Sequence, residues 1–342
     1  MRLGRPQTAG MTLTRKRKLL LATALPLALA AGLASVGVRP TSHPVEAATL
    51  GTTSSTSRLE QVLGTPGPVV VETVKAADWE ITRAGLLNLD HEKARTAGLE
   101  DGPEPIQIFF HALRHPERGL YLVDTGIERA LRDAPERAAL RGIAAKVMNV
   151  DKMRFATDTA SWLARQPEPL AGVLLTHLHL DHLSGLPDVP RGTPLYAGPG
   201  ETRERAFLNV FVQPVIDRTL AGHAPLRELR FQADPSGVFA GVLDLFGDQS
   251  LFALLVPGHT AGSTAYLART PDGPVLLVGD ACHTAWGWEH GVEPGTFSRD
   301  RAESALSLER LRVFAEKHPE VEVRLGHQVL PAEPRAVGAA SR

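Results

Sequence analysis

Residues 173–186 read VLLTHLHLDHLSGL, an apolar run that ends in His177, His179, Asp181 and His182. Three imidazoles and a carboxylate crowded against a hydrophobic strand are costly to desolvate unless an ion or a partner satisfies them. The stretch therefore demands a fold that delivers a strand end to a polar centre. Three more apolar runs share the feature: LLVPG ends at His259, LLVG at Asp280 and VRLG at His327. Strands packed side by side hold their ends close together, and a glycine before His259, Asp280 and His327 lets the backbone turn sharply there. A rigid sheet then presents chemical loops.

Seven candidate ligands result: His177, His179, Asp181, His182, His259, Asp280 and His327. A catalytic zinc takes few protein ligands and keeps a position open for water. Five imidazoles and two carboxylates exceed one such ion and suit two divalent ions with a shared carboxylate and a shared water. Cys282 is the single cysteine, so neither an internal disulfide nor a thiolate-rich zinc site is available and the ligands must be nitrogen and oxygen. Zinc is expected, although the same donors accept manganese, iron or cobalt. With 342 residues, 43% of them hydrophobic, and a formal net charge of -1, the chain buries a sizeable core and carries no basic excess for nucleic acid.

At the N-terminus Arg15, Lys16, Arg17 and Lys18 precede LLLATALPLALAAGLASVGV, the pattern of an export signal. Two readings stand for residues 1–47: a signal cleaved after Ala34 or near Ala47 and Ala48, or a retained membrane anchor. Both put the domain outside the cytoplasm, as a periplasmic, secreted or outer-face protein. Residues 48–67 are small, polar and rich in turn formers, and are expected to be a linker. From 68 to 342 strand patterns alternate with helical ones, among them helices over 128–145, 157–165, 201–220 and 299–317, and this mixture predicts an α/β domain. The sequence carries no sign of an oligomeric state.

THLHLDHLSG, PGHTAGS, VGDACH and LGHQ resemble the metal-binding motifs of the metallo-beta-lactamase fold superfamily, in the family's order, over about residues 67 to 330. The resemblance implies a single-domain, four-layer αββα sandwich with a dinuclear metal site at one edge of its sheets. Carried over by motif position, His177, His179 and His259 would bind the first metal, Asp181, His182 and His327 the second, and Asp280 would bridge them. The bridging aspartate is similar to that of lactonases, hydroxyacylglutathione hydrolases and several phosphoesterases rather than true beta-lactamases. Flavodiiron relatives have glutamate at the position of His179, which disfavours redox chemistry.

A shared water on two ions would supply hydroxide near neutral pH, and one ion would polarise the carbonyl. Asp181 would help to hold the hydroxide, and by the family's pattern Asp280 or a metal-bound water would serve the leaving oxygen. HALRHPERGLYLVDTG resembles the hairpin of acyl homoserine lactone lactonases, which makes a small-molecule lactone or ester the expected substrate. Those enzymes tend to carry a tyrosine three positions after the bridging aspartate. This chain has His283, expected to donate a similar hydrogen bond to the carbonyl oxygen. Phosphotriester, thioester and beta-lactam hydrolysis are the alternatives on the same site, and a non-enzymatic metal-dependent module is a third class.

Trp286 and Trp288 are expected either to wall the substrate pocket or simply to pack beneath a loop. Glu289 and His290 read as solvated, and His111, His115 and His223 as structural or surface groups. The segment 144–166 is a candidate helical lid, and its pattern suits plain packing equally well.

Overall fold

The computed structural model describes residues 37–206 and 209–331. Their apolar runs form fourteen strands: β1 (Val45–Ala47), β2 (Thr52–Thr53), β3 (Val70–Thr82), β4 (Pro103–His115), β5 (Gly119–Val123), β6 (Arg154–Phe155), β7 (Leu170–Leu174), β8 (Leu195–Ala197), β9 (Leu226–Glu228), β10 (Gly241–Asp244), β11 (Leu251–Leu255), β12 (Thr264–Thr270), β13 (Gly273–Leu277) and β14 (Glu322–Arg324). Among the described residues they assemble into two sheets, one ordered β1-β9-β8-β7-β5-β4-β3-β6 and the other β14-β13-β12-β11-β10-β2.

Both sheets are apolar on both faces, and the alternation along each strand shows how. In β5, Leu120 and Leu122 join one buried cluster while Tyr121 and Val123 join another. In β11, Phe252 and Leu254 point to one side, and Leu251 and Ala253 to the other. Side chains of a strand alternate between faces, so near-continuous hydrophobic runs mean a sheet covered twice. Three apolar layers result. The middle one joins Val123 and Leu174 of the first sheet to Tyr266 and Leu277 of the second. Val215, Ile216 and Leu220 of helix Asn209–Leu220 cover the outer face of the first sheet. Leu308, Leu311 and Phe314 of helix Arg301–Lys317, which Asp300 caps through the Glu303 amide, cover the outer face of the second. This is the expected four-layer αββα sandwich.

Several sequence expectations are corrected. The stretch 48–67 is no linker. It holds β2, which pairs with β10, and helix Thr56–Leu63, whose Leu59 and Leu63 are buried in the core beside Phe314. Ser, Thr and Gly concealed an amphipathic turn pattern there, with Ser55 accepting from the Arg58 amide as N-cap. Nor does the ordered fold begin at 68: Thr41 Oγ1 donates to Asp217 at 2.5 Å, and β1 runs parallel to β9. The expected helix over 128–145 is two short ones, Ala130–Asp133 and Ile143–Val147, separated by Pro135 and Gly142. The candidate lid at 144–166 is largely packed structure, because β6 adds to the edge of β3 and Trp162 lies in the core. The N-terminal signal or anchor up to residue 36 lies outside the described residues, and among the described residues no helix is long and apolar enough to cross a membrane.

Candidate metal centre

Each of the four apolar runs does end at the same place. After β7 the chain passes His177 and enters the short helix Leu180–Leu183, which carries Asp181 and His182. After β11 it turns through Gly258, whose φ of 135° suits glycine, to reach His259. After β13 it turns through Gly279, at φ 54°, to Asp280, and after β14 it reaches His327. The sheets thus converge seven side chains, all buried except the partly exposed His179 and Asp181.

They fall into two sets with one member in common. His177, His179, His259 and Asp280 offer ligand atoms within 4.8 Å of one another, and so do Asp181, His182, Asp280 and His327. Asp280 is central: its Oδ2 lies 3.7 Å from His177 Nε2, 3.2 Å from His182 Nε2 and 3.4 Å from His259 Nε2, and its Oδ1 lies 3.3 Å from His327 Nε2.

The far side of three of the rings is fixed by a partner, as in sites where the second nitrogen must face inward. His182 Nδ1 lies 2.7 Å from Asp124 Oδ2, His327 Nδ1 lies 2.8 Å from the Gln107 carbonyl, and His177 Nδ1 lies 3.1 Å from Thr176 Oγ1. Asp124 adopts φ 57°, a left-handed conformation that aspartate tolerates better than most residues. There its Oδ1 accepts from the Thr176 amide at 2.8 Å. Sequence reasoning assigned Asp124 no role.

Charge and burial divide the imidazoles. Burial holds His177 and His259 well below the ordinary histidine range, leaving neutral rings with a lone pair to donate. Burial also opposes the charged form of His182, yet Asp280, Asp124 and Asp181 around it hold it well above that range. His327, with the same burial cost, is pushed up to about 10 by Asp280 and Asp181. His177 Nε2, His182 Nε2 and Asp280 Oδ1 are buried and make no hydrogen bond. Such orphaned donor atoms, set among carboxylates, fit divalent cations that displace protons from imidazole. The donor set thus supports two divalent metal ions.

His283 departs from the role expected of it. Its Nδ1 lies 2.9 Å from the Leu86 carbonyl and its Nε2 lies 3.1 Å from Asp280 Oδ2, with its ring stacked on His327. It is 2% exposed and faces the shared carboxylate, rather than standing free toward a substrate carbonyl. Thr284 caps a helix, Ala285–His290, where the sequence suggested a loop. Trp288 packs on the core and Trp286 stacks on His290 at 4.1 Å. Glu289 is exposed. His111, His115 and His223 are buried, with His111 beside Thr73 Oγ1 and His115 paired to Asp248. Sequence reasoning missed Glu201, a buried carboxylate that binds two of the metal-bearing loops from behind. A lone glutamate after a Gly-Pro-Gly turn gives no local signal of that.

A two-sheet αββα sandwich with a doubled His/Asp centre at its strand ends defines a class of metal-binding proteins, and comparison with known proteins supplies the family. The metallo-beta-lactamase superfamily model matches residues 105–327, and the chain belongs to that superfamily. N-acyl homoserine lactonase AttM of Agrobacterium fabrum (strain C58) is 30% identical over 185 residues, 52% of this chain and 65% of its own. The chain thus spans just under two thirds of that relative. Gamma-lactamase MBL2 of Gibberella moniliformis is 31% identical over 173 residues, 47% of this chain and 69% of its own. Among solved structures, an AiiA variant from B. thuringiensis with N-decanoyl-L-homoserine bound at its active site superposes with TM-score 0.54 at 18% identity, covering 78% of this chain and 95% of that one. That likeness establishes the fold.

Proposed function

We propose that this protein is a dinuclear metal hydrolase of lactones or related carboxylic esters, N-acyl homoserine lactones first among them, and that it acts outside the cytoplasm with zinc as its metal. The observation that carries the reading is Asp280, shared between two complete ligand sets. His177, His179 and His259 would complete the first set, and Asp181, His182 and His327 the second. Divalent ions held there supply an activated water and polarise the carbonyl under attack.

The chain's own groups do the rest. Asp124 and the Gln107 carbonyl keep His182 and His327 facing inward, so the ligand geometry is set before substrate arrives. Asp181, 3.2 Å from His327 Nε2, orients the attacking water. Ring opening leaves an alkoxide that takes up the proton the attacking water gives up, and Asp280, common to both ligand sets, is placed to pass it. His283 keeps Asp280 Oδ2 in place from the opposite side.

The name of the gamma-lactamase relative favours a second reading, opening of a cyclic amide by the same groups. Both are tested by product formation, followed chromatographically, from zinc-loaded protein on a long-chain acyl homoserine lactone, a gamma-lactam, a beta-lactam, a thioester and a phosphotriester, with proton release as a second readout on the lactone and His179→Ala as control. Acid production on the lactone that the control lacks supports the first reading. Turnover confined to another substrate overturns it in favour of that class.

A further inference from the structure

Glu201 follows β8, remote in sequence from every candidate ligand, and is 4% exposed. Its Oε2 accepts from the Leu178 amide at 3.0 Å. Leu178 lies between His177 and His179. Its Oε1 accepts from the Gly262 amide at 2.7 Å and from the Thr260 hydroxyl. Thr260 directly follows His259. One carboxylate therefore ties the first-motif loop, which leaves β7 of one sheet, to the His259 loop, which joins β11 and β12 of the other. Every polar contact it makes is donated to it, so both oxygens are engaged as acceptors, while burial pushes its pKa up to about 7.

The surrounding backbone is shaped for this contact. A Cβ at Gly198 would meet the Gly262 carbonyl at 1.8 Å, and one at Gly262 would meet the Pro199 carbonyl at 2.6 Å and Glu201 Cγ at 2.9 Å. The loops touch backbone to backbone, so no other side chain can come between them to replace the carboxylate. Thr264 strengthens the same seam, its amide donating to the Thr176 carbonyl at 2.9 Å.

The other ligand set is held by different groups. Asp181 and His182 sit on the helix Leu180–Leu183, His182 is held by Asp124, the Thr125 amide and hydroxyl bond to the His182 carbonyl, and His327 is held by Gln107. None of these contacts involves Glu201.

We propose that Glu201 is a positioning residue for one metal position only, clamping His177, His179 and His259 into register while leaving the Asp181, His182 and His327 position to Asp124 and Gln107. The inference rests on the dinuclear reading of the site. It predicts an asymmetry that a general contribution to stability would not produce.

The test is cobalt titration of the full-length protein, following the visible d–d bands and the bound metal per chain. Wild type is expected to take two ions. Glu201→Ala is expected to keep one near its wild-type affinity and to bind the other about 10- to 100-fold more weakly, as loss of an outer partner does. Glu201→Gln presents an acceptor to only one of the two loops and is expected to fall between them. Asp124→Asn should weaken the opposite position, giving a different residual spectrum. Two wild-type ions with Glu201→Ala and Glu201→Gln binding both as wild type does would overturn the clamp while leaving the dinuclear reading intact. Equal weakening of both positions would reduce Glu201 to a general structural role and overturn it as well. A wild type that binds no metal sinks both readings together. If Glu201→Ala is recovered unfolded, the Glu201→Gln spectrum decides.

Discussion

Gly326 offers the sharpest perturbation of the shared carboxylate. It precedes His327, and a Cβ built on it would come within 2.3 Å of Asp280 Oδ1 and 2.8 Å of the Gly279 carbonyl oxygen. Real Cβ atoms essentially never come closer than 3.0 Å to such neighbours. Gly326→Ala must therefore displace Asp280 or the β14–His327 turn by about 0.7 Å, in an interior packed too densely to absorb it elsewhere. The φ of Gly326 is not in the left-handed region, so the substitution introduces no backbone strain of its own and its effect is steric. A misplacement of about 1 Å at a catalytic group costs on the order of 10²-fold in rate. A ten- to hundred-fold loss of kcat, about 1.4 to 2.7 kcal/mol, follows for hydrolysis of whichever substrate the panel identifies. The assay is steady-state turnover together with bound zinc per chain. Gly64→Ala is the control, because its Cβ meets nothing within 4 Å and its φ of -73° suits alanine. Wild-type kcat and metal content in Gly326→Ala would refute the argument that Asp280 is held in place to a fraction of an ångström.

Three further outcomes are expected. Asp124→Asn removes the charge that holds His182 Nδ1, and zinc affinity measured by competition with a chromophoric chelator should fall about 10- to 100-fold while the fold persists; unchanged affinity would remove Asp124 from the site. Burial lowers the pKa of His111 from 6.5 to about 3, so the unfolded chain binds a proton that the folded chain refuses. Its stabilisation is complete above about pH 6.5 and is lost as the pH falls toward about 3, at up to roughly 1.4 kcal/mol per unit. Denaturant melts between about pH 6 and pH 4 should show a shallower slope in His111→Gln, and an identical slope would contradict this assignment. Leu59→Ala should cost about 2 to 5 kcal/mol in the same melts, since Leu59 is fully buried, whereas the flexible linker first expected there predicts no change.

The candidate site was more legible than the chain that supports it. Its ligands follow apolar strands by three to eight residues, and desolvation makes such polar clusters conspicuous against a hydrophobic background. That is why His177, Asp280 and His327 could be grouped although they come from both sheets. The supports gave weaker signals. Asp124 works through a left-handed turn and a bond to a side chain 58 residues away, and Glu201 through loops separated from it by 23 and 61 residues. No local pattern encodes such pairings. His283 misled for a related reason: its position relative to Asp280 was visible, but the Leu86 carbonyl that turns its ring came from another part of the chain.

The same contrast accounts for the misreading of 48–67. Composition there is dominated by Ser, Thr and Gly, which on their own suit a solvated tether. Two leucines four positions apart, Leu59 and Leu63, outweigh that composition because together they cover the outer face of the second sheet beside Phe314, and Ser55 satisfies the helix end. The consequence reaches the N-terminus. With Thr41 bonded to Asp217 and Val45–Ala47 paired to Leu226–Glu228, cleavage of an export signal near Ala47 would strip an edge strand from the first sheet, while cleavage after Ala34 would leave every described contact in place. Of the two cleavage positions that small residues suggest, folding stability favours the earlier one, and a retained anchor would likewise keep the strand.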